Sequence, residues 1–182
     1  NPQYYPLVFT TFWVEHALWG FGTLGADGVL RGVGYHVDNL LLHIGAALVI
    51  FQLLKRLKLP GGTLGAWLAA TIFAIHPVNV ESVAWVAERK NVLCGLFFFA
   101  GLLYGLKFFG VIEPAEHEGR RTKGWQYAAA LALFLAAMLS KTIACVLPAA
   151  LLLMIWWRRG RIKWREILLT APFFMIAVGL AL

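Results

Sequence analysis

The sequence predicts an all-α, polytopic membrane fold of about six transmembrane helices with interfacial helices beside them. Three observations predict it. Hydrophobic residues make up 60% of the 182 and charged residues only 14%, at a mean hydropathy of +0.73, whereas soluble domains carry about 25% charged residues. The apolar residues gather into blocks of about 15–22, near the ~20 that a helix needs to cross a hydrocarbon core. The Lys and Arg residues cluster at the edges of those blocks, where they set orientation. The net charge of +7 is thereby explained without a nucleic-acid partner.

Residues 1–34 are aromatic and glycine-rich, and they predict an outer-face segment with an amphipathic or interfacial helix near Leu7–Trp19. Tyr4, Tyr5, Trp13 and Trp19 suit the headgroup level. Spans are expected at about 35–54, closed by Lys55, Arg56 and Lys58, at 63–77, ending in His76-Pro77, and at 92–109. A polar loop at 113–124 then carries Arg120, Arg121 and Lys123. The block 125–157 is too long for one simple span. A single crossing would put the basic loops 113–124 and 158–165 on opposite sides, against the positive-inside tendency. Two short spans, 125–139 and 143–157, turning at Ser140-Lys141-Thr142, keep the loops together. A last span covers 166–182.

On that topology the basic residues of 55–58, 107, 120–123 and 158–165 share the cytoplasmic side, and Arg31, Arg89, Lys90 and Lys141 lie opposite. The N-terminal segment, the stretch 76–91 and Ser140–Thr142 therefore meet on the outer or lumenal face. The half-length helices around Lys141 are each only ~22 Å long at 1.5 Å per residue. Their turn sits below the surface, where a lysine needs a wet cavity or an anion.

The stretch "AIHPVNVESVAWVAERKNVL", 74–93, holds most of the polar candidates. Pro77 suits a helix start and restricts His76, so the chain leaves the membrane there. Glu81, Trp85 and Glu88 recur at i, i+4 and i+7, which predicts an amphipathic helix along the interface. Its charges either are solvated or wall a site, with Arg89 and Lys90 on a lipid phosphate and Glu81 or Glu88 facing an acceptor. In the first span His36, Asn39 and His43 share a helical face beside Asp38. Intramembrane polar residues point into a bundle or cavity, either for interhelix hydrogen bonding or for catalysis. His36 and His43 are ~10 Å apart along the helix, and no third ligand is evident, so no metal site is read. Cys94 and Cys145 signal neither a disulfide framework nor a metal centre. No phosphate-binding glycine loop, serine elbow or zinc-protease helix occurs.

Taken together, "YYPLVFTTFWVEHALWG", "GYHVDNLLLH", "AIHPVNVESVAWVAERKNVL" and "LSKTIACVLPAALLL" resemble, in order and spacing, the membrane half of the transmembrane-and-tetratricopeptide-repeat proteins, most closely their bacterial branch. These are similar to protein O-mannosyltransferases of the C-type glycosyltransferase superfamily. The resemblance implies an enzyme that moves a sugar from a polyprenyl or dolichyl phosphate carrier to a protein or glycan hydroxyl on the outer or lumenal face. A bacterial cytoplasmic (inner) membrane is the implied location. Membrane lipids and other membrane subunits are the remaining partners. No cofactor is called for, and a divalent metal stays open. The family's active acid and first span are expected upstream of Asn1, and its repeat domain beyond Leu182, leaving 1–182 as a single transmembrane piece.

The positions carried over are Tyr5, Pro6, His36, Asn39, His43, His76, Pro77, Glu81, Trp85, Arg89, Lys90, Ser140 and Lys141. Lys141, Arg89 and Lys90 are the expected phosphate and carrier contacts, and Glu81 is the candidate base. His36, Asn39, His43, His76, Trp85 and Ser140 support them. The fold is expected to bring His76, Glu81, Arg89 and Lys141 around one outward-facing cavity. Asn91 and Thr142 each stand where relatives often carry an acid or another residue, and each change removes a charge near the site. The alternative is a non-catalytic membrane subunit or anchor that retains the fold.

Overall fold

A computed structural model describes residues 5–19, 28–112 and 123–181. Among them the chain forms α1 (Pro6–Trp19), α2 (Gly28–Leu57), α3 (Gly62–Ile75), α4 (Val80–Ala84), α5 (Arg89–Phe108), α6 (Lys123–Ser140), α7 (Leu147–Arg159) and α8 (Trp164–Ala181). Short 3₁₀ turns at Pro77–Asn79, Val86–Glu88 and Thr142–Val146 join some of them. The fold is all-α, as the apolar blocks predict.

α5 is the central helix, packed against α6, α2 and α7. Its small residues ease that crowding: a Cβ on Gly105 would stand 2.7 Å from Leu151 Cδ2, so a larger residue there would force the Leu151 side chain to shift. Leu102, Leu106, Phe134, Leu147, Leu151, Ile155 and Phe173 fill the space between α5, α6, α7 and α8. Phe134 and Phe173 pack with ring centroids 5.4 Å apart. Leu64, Trp67, Leu68, Ile72 and Ile75 of α3, and Met175 and Val178 of α8, face outward. Such an exterior suits acyl chains.

Val33–Leu57, Val86–Phe108 and Thr142–Arg159 are long and apolar enough to cross a membrane. A fourth crossing is available if α3 and Pro77–Ala84, bent by 46°, act as one span. Among the described residues, length and composition thus support three or four crossings, and six are not shown. The apolar part of α6 is the shorter Gly124–Ser140, and α8 opens on Arg165 and a buried Glu166.

The helix boundaries follow local chemistry. His76 is extended, at φ −63° and ψ 131°, as a residue before proline must be, and α3 stops at Ile75. The predicted turn at Ser140-Lys141-Thr142 is present, with Lys141 extended between α6 and the Thr142–Val146 turn. The expected helix at Leu7–Trp19 is also present, but it packs against α6, α2 and α5 and buries Glu15. Tyr4, Arg120 and Arg121, and the side chains of Trp19, Arg31 and Lys123, lie outside the described residues.

The stretch after Pro77 departs from expectation. In place of one amphipathic helix the chain runs through a 3₁₀ turn, the short α4, an extended Trp85 (φ −89°, ψ 118°) and a second 3₁₀ turn. The break at Trp85 removes the continuous Glu81–Trp85–Glu88 edge. Its cause lies on α2: Asn39 Nδ2 donates to the carbonyls of Val83 (3.3 Å) and Trp85 (3.2 Å), holding the chain where a helix would have turned those oxygens elsewhere.

Candidate functional site

Glu88 ends the second 3₁₀ turn, and Arg89, Lys90 and Asn91, which open α5, part in different directions, about 100° from one to the next. Arg89 turns inward and is fully buried. Its Nε donates to Asn39 Oδ1 at 2.7 Å, Nη2 donates to the Tyr35 carbonyl at 2.8 Å, and Nη1 pairs with Glu15 Oε1. The guanidinium also lies over the Phe12 ring, 4.8 Å from its centroid. Since a guanidinium only donates, the Asn39 oxygen must face it, which leaves the Asn39 amide nitrogen for the kink at Trp85. One buried cation thus ties α1, α2, α4 and α5 together.

Asn91 turns toward the hinge between α6 and α7. Its Oδ1 accepts from Lys141 Nζ, while its Nδ2 donates to Ser82 Oγ at 3.0 Å and to Glu88 Oε2 at 2.7 Å. Glu88 Oε1 pairs with Lys90 at 3.0 Å. Glu88 and Lys90 therefore neutralise one another. Lys141 is held only by a neutral amide and has no carboxylate partner among the described residues. An aspartate at 91 would pair with Lys141 but could not donate to Glu88, so asparagine suits both neighbours.

Two clefts meet at Asn91 and Gly95. One, of about 230 Å³, has Lys141 in walls of Cys94, Phe98, Ile143, Ala144 and Val146. The other, of about 130 Å³, is lined by His43, Phe73, Asn79, Ser82 and Phe99. A third cleft, of about 240 Å³, lies beyond His43 and is lined by His76, Asn79, Val80 and Val83. His43 Nε2 sits 3.0 Å from the Ala74 carbonyl, and its ring stacks on Phe73 with centroids 5.1 Å apart. Asn79 Nδ2 donates to the Phe73 carbonyl at 2.7 Å. A larger, nearly apolar cleft of about 350 Å³ lies between α1 and α2, beside Glu15 and Asp38.

His76, Glu81, Arg89 and Lys141 do not share one cavity. Lys141 and His76 line different clefts, Glu81 is exposed and lines none of them, and Arg89 is sealed inside. Of the shared face on α2, Asn39 and His43 are buried, but His36 is exposed. His76 Nδ1 accepts from the backbone of Val78 at 3.2 Å. Ser140 is buried and donates back to the Ala136 carbonyl at 2.7 Å. Trp85 contributes its backbone while its ring stays exposed. Among the described residues no three His, Cys, Asp or Glu side chains converge on a metal position.

Glu15 and Ser82 escaped the sequence reading. An acid inside the apolar "FTTFWVEHALW" is the signal that could have found the first, because a carboxylate in such a helix needs a partner. The contact of Lys141 with Asn91 does place the α6–α7 hinge at the same end of the bundle as the 76–91 stretch, in keeping with the charge-based topology.

The chain is 32% identical over 152 residues to human protein O-mannosyl-transferase TMTC4, an alignment covering 78% of this chain and 19% of the relative. It is 34% identical over 108 residues to Caenorhabditis elegans protein O-mannosyl-transferase F38B6.6, covering 59% and 14%. With human protein O-mannosyl-transferase TMTC2 it shares 30% over 125 residues, covering 69% and 13%. The chain therefore spans 13% to 19% of the length of these curated relatives. No family model and no solved structure matches it. These relatives are animal proteins, and neither the bacterial branch nor a repeat domain draws support from them. The chain is a distant relative of the TMTC proteins, which are O-mannosyltransferase-like.

Proposed function

We propose that this chain is the carrier-binding part of a membrane glycosyltransferase that moves a sugar from a polyprenyl or dolichyl phosphate to a protein or glycan hydroxyl on the outer or lumenal face. The observation that carries the reading is Lys141. Its ammonium is held by the neutral Asn91, and both residues line a largely apolar cleft, an arrangement suited to a phosphate joined to a hydrocarbon chain. The names of the relatives, all O-mannosyl-transferases, support the reaction class.

In this reading Lys141 stabilises the departing phosphate, and Asn91 aims it. Arg89 acts by position, fixing the start of α5 two residues before Asn91, because its nitrogens are engaged within the protein. Lys90 lends its charge to Glu88. Glu81 is exposed and lines none of these clefts, which weakens its candidacy for the base.

The test is sugar transfer from a polyprenyl or dolichyl phosphate carrier by the full-length protein in proteoliposomes. Lys141→Ala is expected to lower kcat/KM by about 10²-fold or more, and Glu81→Gln to leave transfer near wild type. No transfer by any form would sink the reading in favour of a non-catalytic membrane subunit.

A further inference from the structure

The end of the bundle away from Lys141 carries charges that the transfer reading does not use. Lys141 contacts Asn91 at the start of α5, and Arg159 donates to the Phe109 carbonyl just past its end, so α7 runs alongside α5 in the same direction. The stretch "WWRRGRIKWR", 156–165, joins α7 to α8 there with five cations and no acid. Gly160, at φ 68°, takes the left-handed conformation that ends α7, and residues 160–163 alone separate it from α8. Both helix ends therefore stand at one level.

Glu166 is the one carboxylate at this end among the described residues, and it is engaged: Arg159 bonds its Oε1 and the Lys163 N–H its Oε2. The other described acids, Glu15, Asp38, Glu81 and Glu88, lie near Arg89 and Asn91 at the opposite end. Arg158, Arg161, Lys163 and Arg165 are all exposed and have no carboxylate partner among the described residues. In sequence, the loop before α6 adds Glu113, Glu116 and Glu118 but also Arg120, Arg121 and Lys123, which leaves the excess of positive charge as it was. Four like charges within eight positions repel one another, and an anion from outside relieves them.

The tryptophans fix the kind of anion. Trp156 and Trp157 in the last turn of α7 and Trp164 at the first position of α8 are 52%, 53% and 71% exposed, and they flank the cations on both sides. Exposed indoles at the ends of apolar helices settle among lipid headgroups. The cations between them then stand at the depth of lipid phosphates, and the Arg158 guanidinium, 5.9 Å from the Trp157 ring centroid, is held at the level of its indole. Independently of the transfer reading, we propose that Arg158, Arg161, Lys163 and Arg165, framed by these three tryptophans, form a docking surface for anionic phospholipids of the adjacent leaflet. The guanidinium groups take the lipid phosphates through paired hydrogen bonds, and the acyl chains lie along the exposed Leu153 of α7 and Leu168 of α8.

The full-length protein in neutral detergent micelles tests this. Dansyl-labelled phosphatidylglycerol is added, and energy transfer from tryptophan to dansyl is followed as unlabelled lipid competes. The mole fraction of unlabelled lipid that halves the transfer is expected to be at least about fivefold lower for phosphatidylglycerol than for phosphatidylcholine. Raising sodium chloride to about 0.5 M is expected to shrink that difference. Trp156→Phe/Trp157→Phe/Trp164→Phe keeps the charges and is expected to lower the transfer sharply, which locates the lipid. Arg158→Gln/Arg161→Gln/Lys163→Gln/Arg165→Gln is expected to bring the two lipids level, while Arg158→Lys/Arg161→Lys/Arg165→Lys keeps the preference. Equal competition by the two lipids in the wild type overturns the proposal, and so does a preference that survives salt or the glutamine variant, or transfer unchanged by loss of the three indoles. The headgroup comparison on the wild type decides the matter even where the glutamine variant fails to insert.

Discussion

Arg89 and Glu15 lie 74 positions apart and form an ion pair at the junction of α5 and α1, with the arginine wholly removed from solvent. Around it, Asn39 and the Tyr35 carbonyl complete the arginine's hydrogen bonds. A buried pair of this kind contributes little net stability against a hydrophobic replacement, but losing one partner strands the other charge. Glu15→Leu is therefore expected to destabilise the protein by about 3–5 kcal/mol. The double variant Glu15→Leu/Arg89→Met should recover a large part of that loss. Thermal unfolding of the four forms in one detergent measures the coupling, and additive losses would contradict it.

The pair at the opposite end of the bundle should behave differently. Arg159 bonds Glu166 and the Phe109 carbonyl, but its side chain keeps 30% of its exposure. Solvent screening limits such pairs to about 0–1 kcal/mol. Glu166→Gln is expected to shift the unfolding temperature far less than Glu15→Leu. Equal shifts would show that the two junctions are energetically alike.

Asn91 sets the charge that Lys141 presents. Asn91→Asp would give the lysine a full counter-charge and place a second carboxylate beside Glu88. Neutralising a half-buried cation in this way is expected to weaken binding of polyprenyl phosphate by about tenfold or more, which is ~1.4 kcal/mol. Titration of the lipid phosphate into wild type and variant measures it. Unchanged or tighter binding would remove Lys141 from the phosphate contact.

Leu151 of α7 packs directly against Gly105 of α5. An added Cβ would stand 2.7 Å from Leu151 Cδ2, whereas around Gly179 nothing lies within 4 Å. Gly105→Val is expected to cost about 1–3 kcal/mol through overpacking, and Gly179→Ala to be near neutral. Unfolding of the two variants side by side separates crowding from a general intolerance of larger residues.

Much of this was legible in the sequence because it depends on local properties. The apolar blocks foretold α2, α3, α5, α6, α7 and α8, and proline chemistry foretold the bend at His76. The distribution of basic residues brought Lys141 to the same end as 76–91, where its contact with Asn91 is found. Helical spacing failed at Trp85, because Asn39, on another helix, captures the carbonyls there. Residue type in turn misdirected Arg89: a cation in an interfacial stretch looks like a lipid contact until its buried partner on α1 is known.

By itself the sequence determined an all-α membrane protein, the bend at His76 and the supply of polar residues, since length, hydropathy and proline geometry act within a few turns of chain. The tertiary structure alone decided which polar residue does what. A buried charge or amide must find its partners wherever the fold provides them, so Glu15 completes Arg89, Asn91 gives Lys141 a neutral partner, and a backbone carbonyl on α3 selects the form of His43.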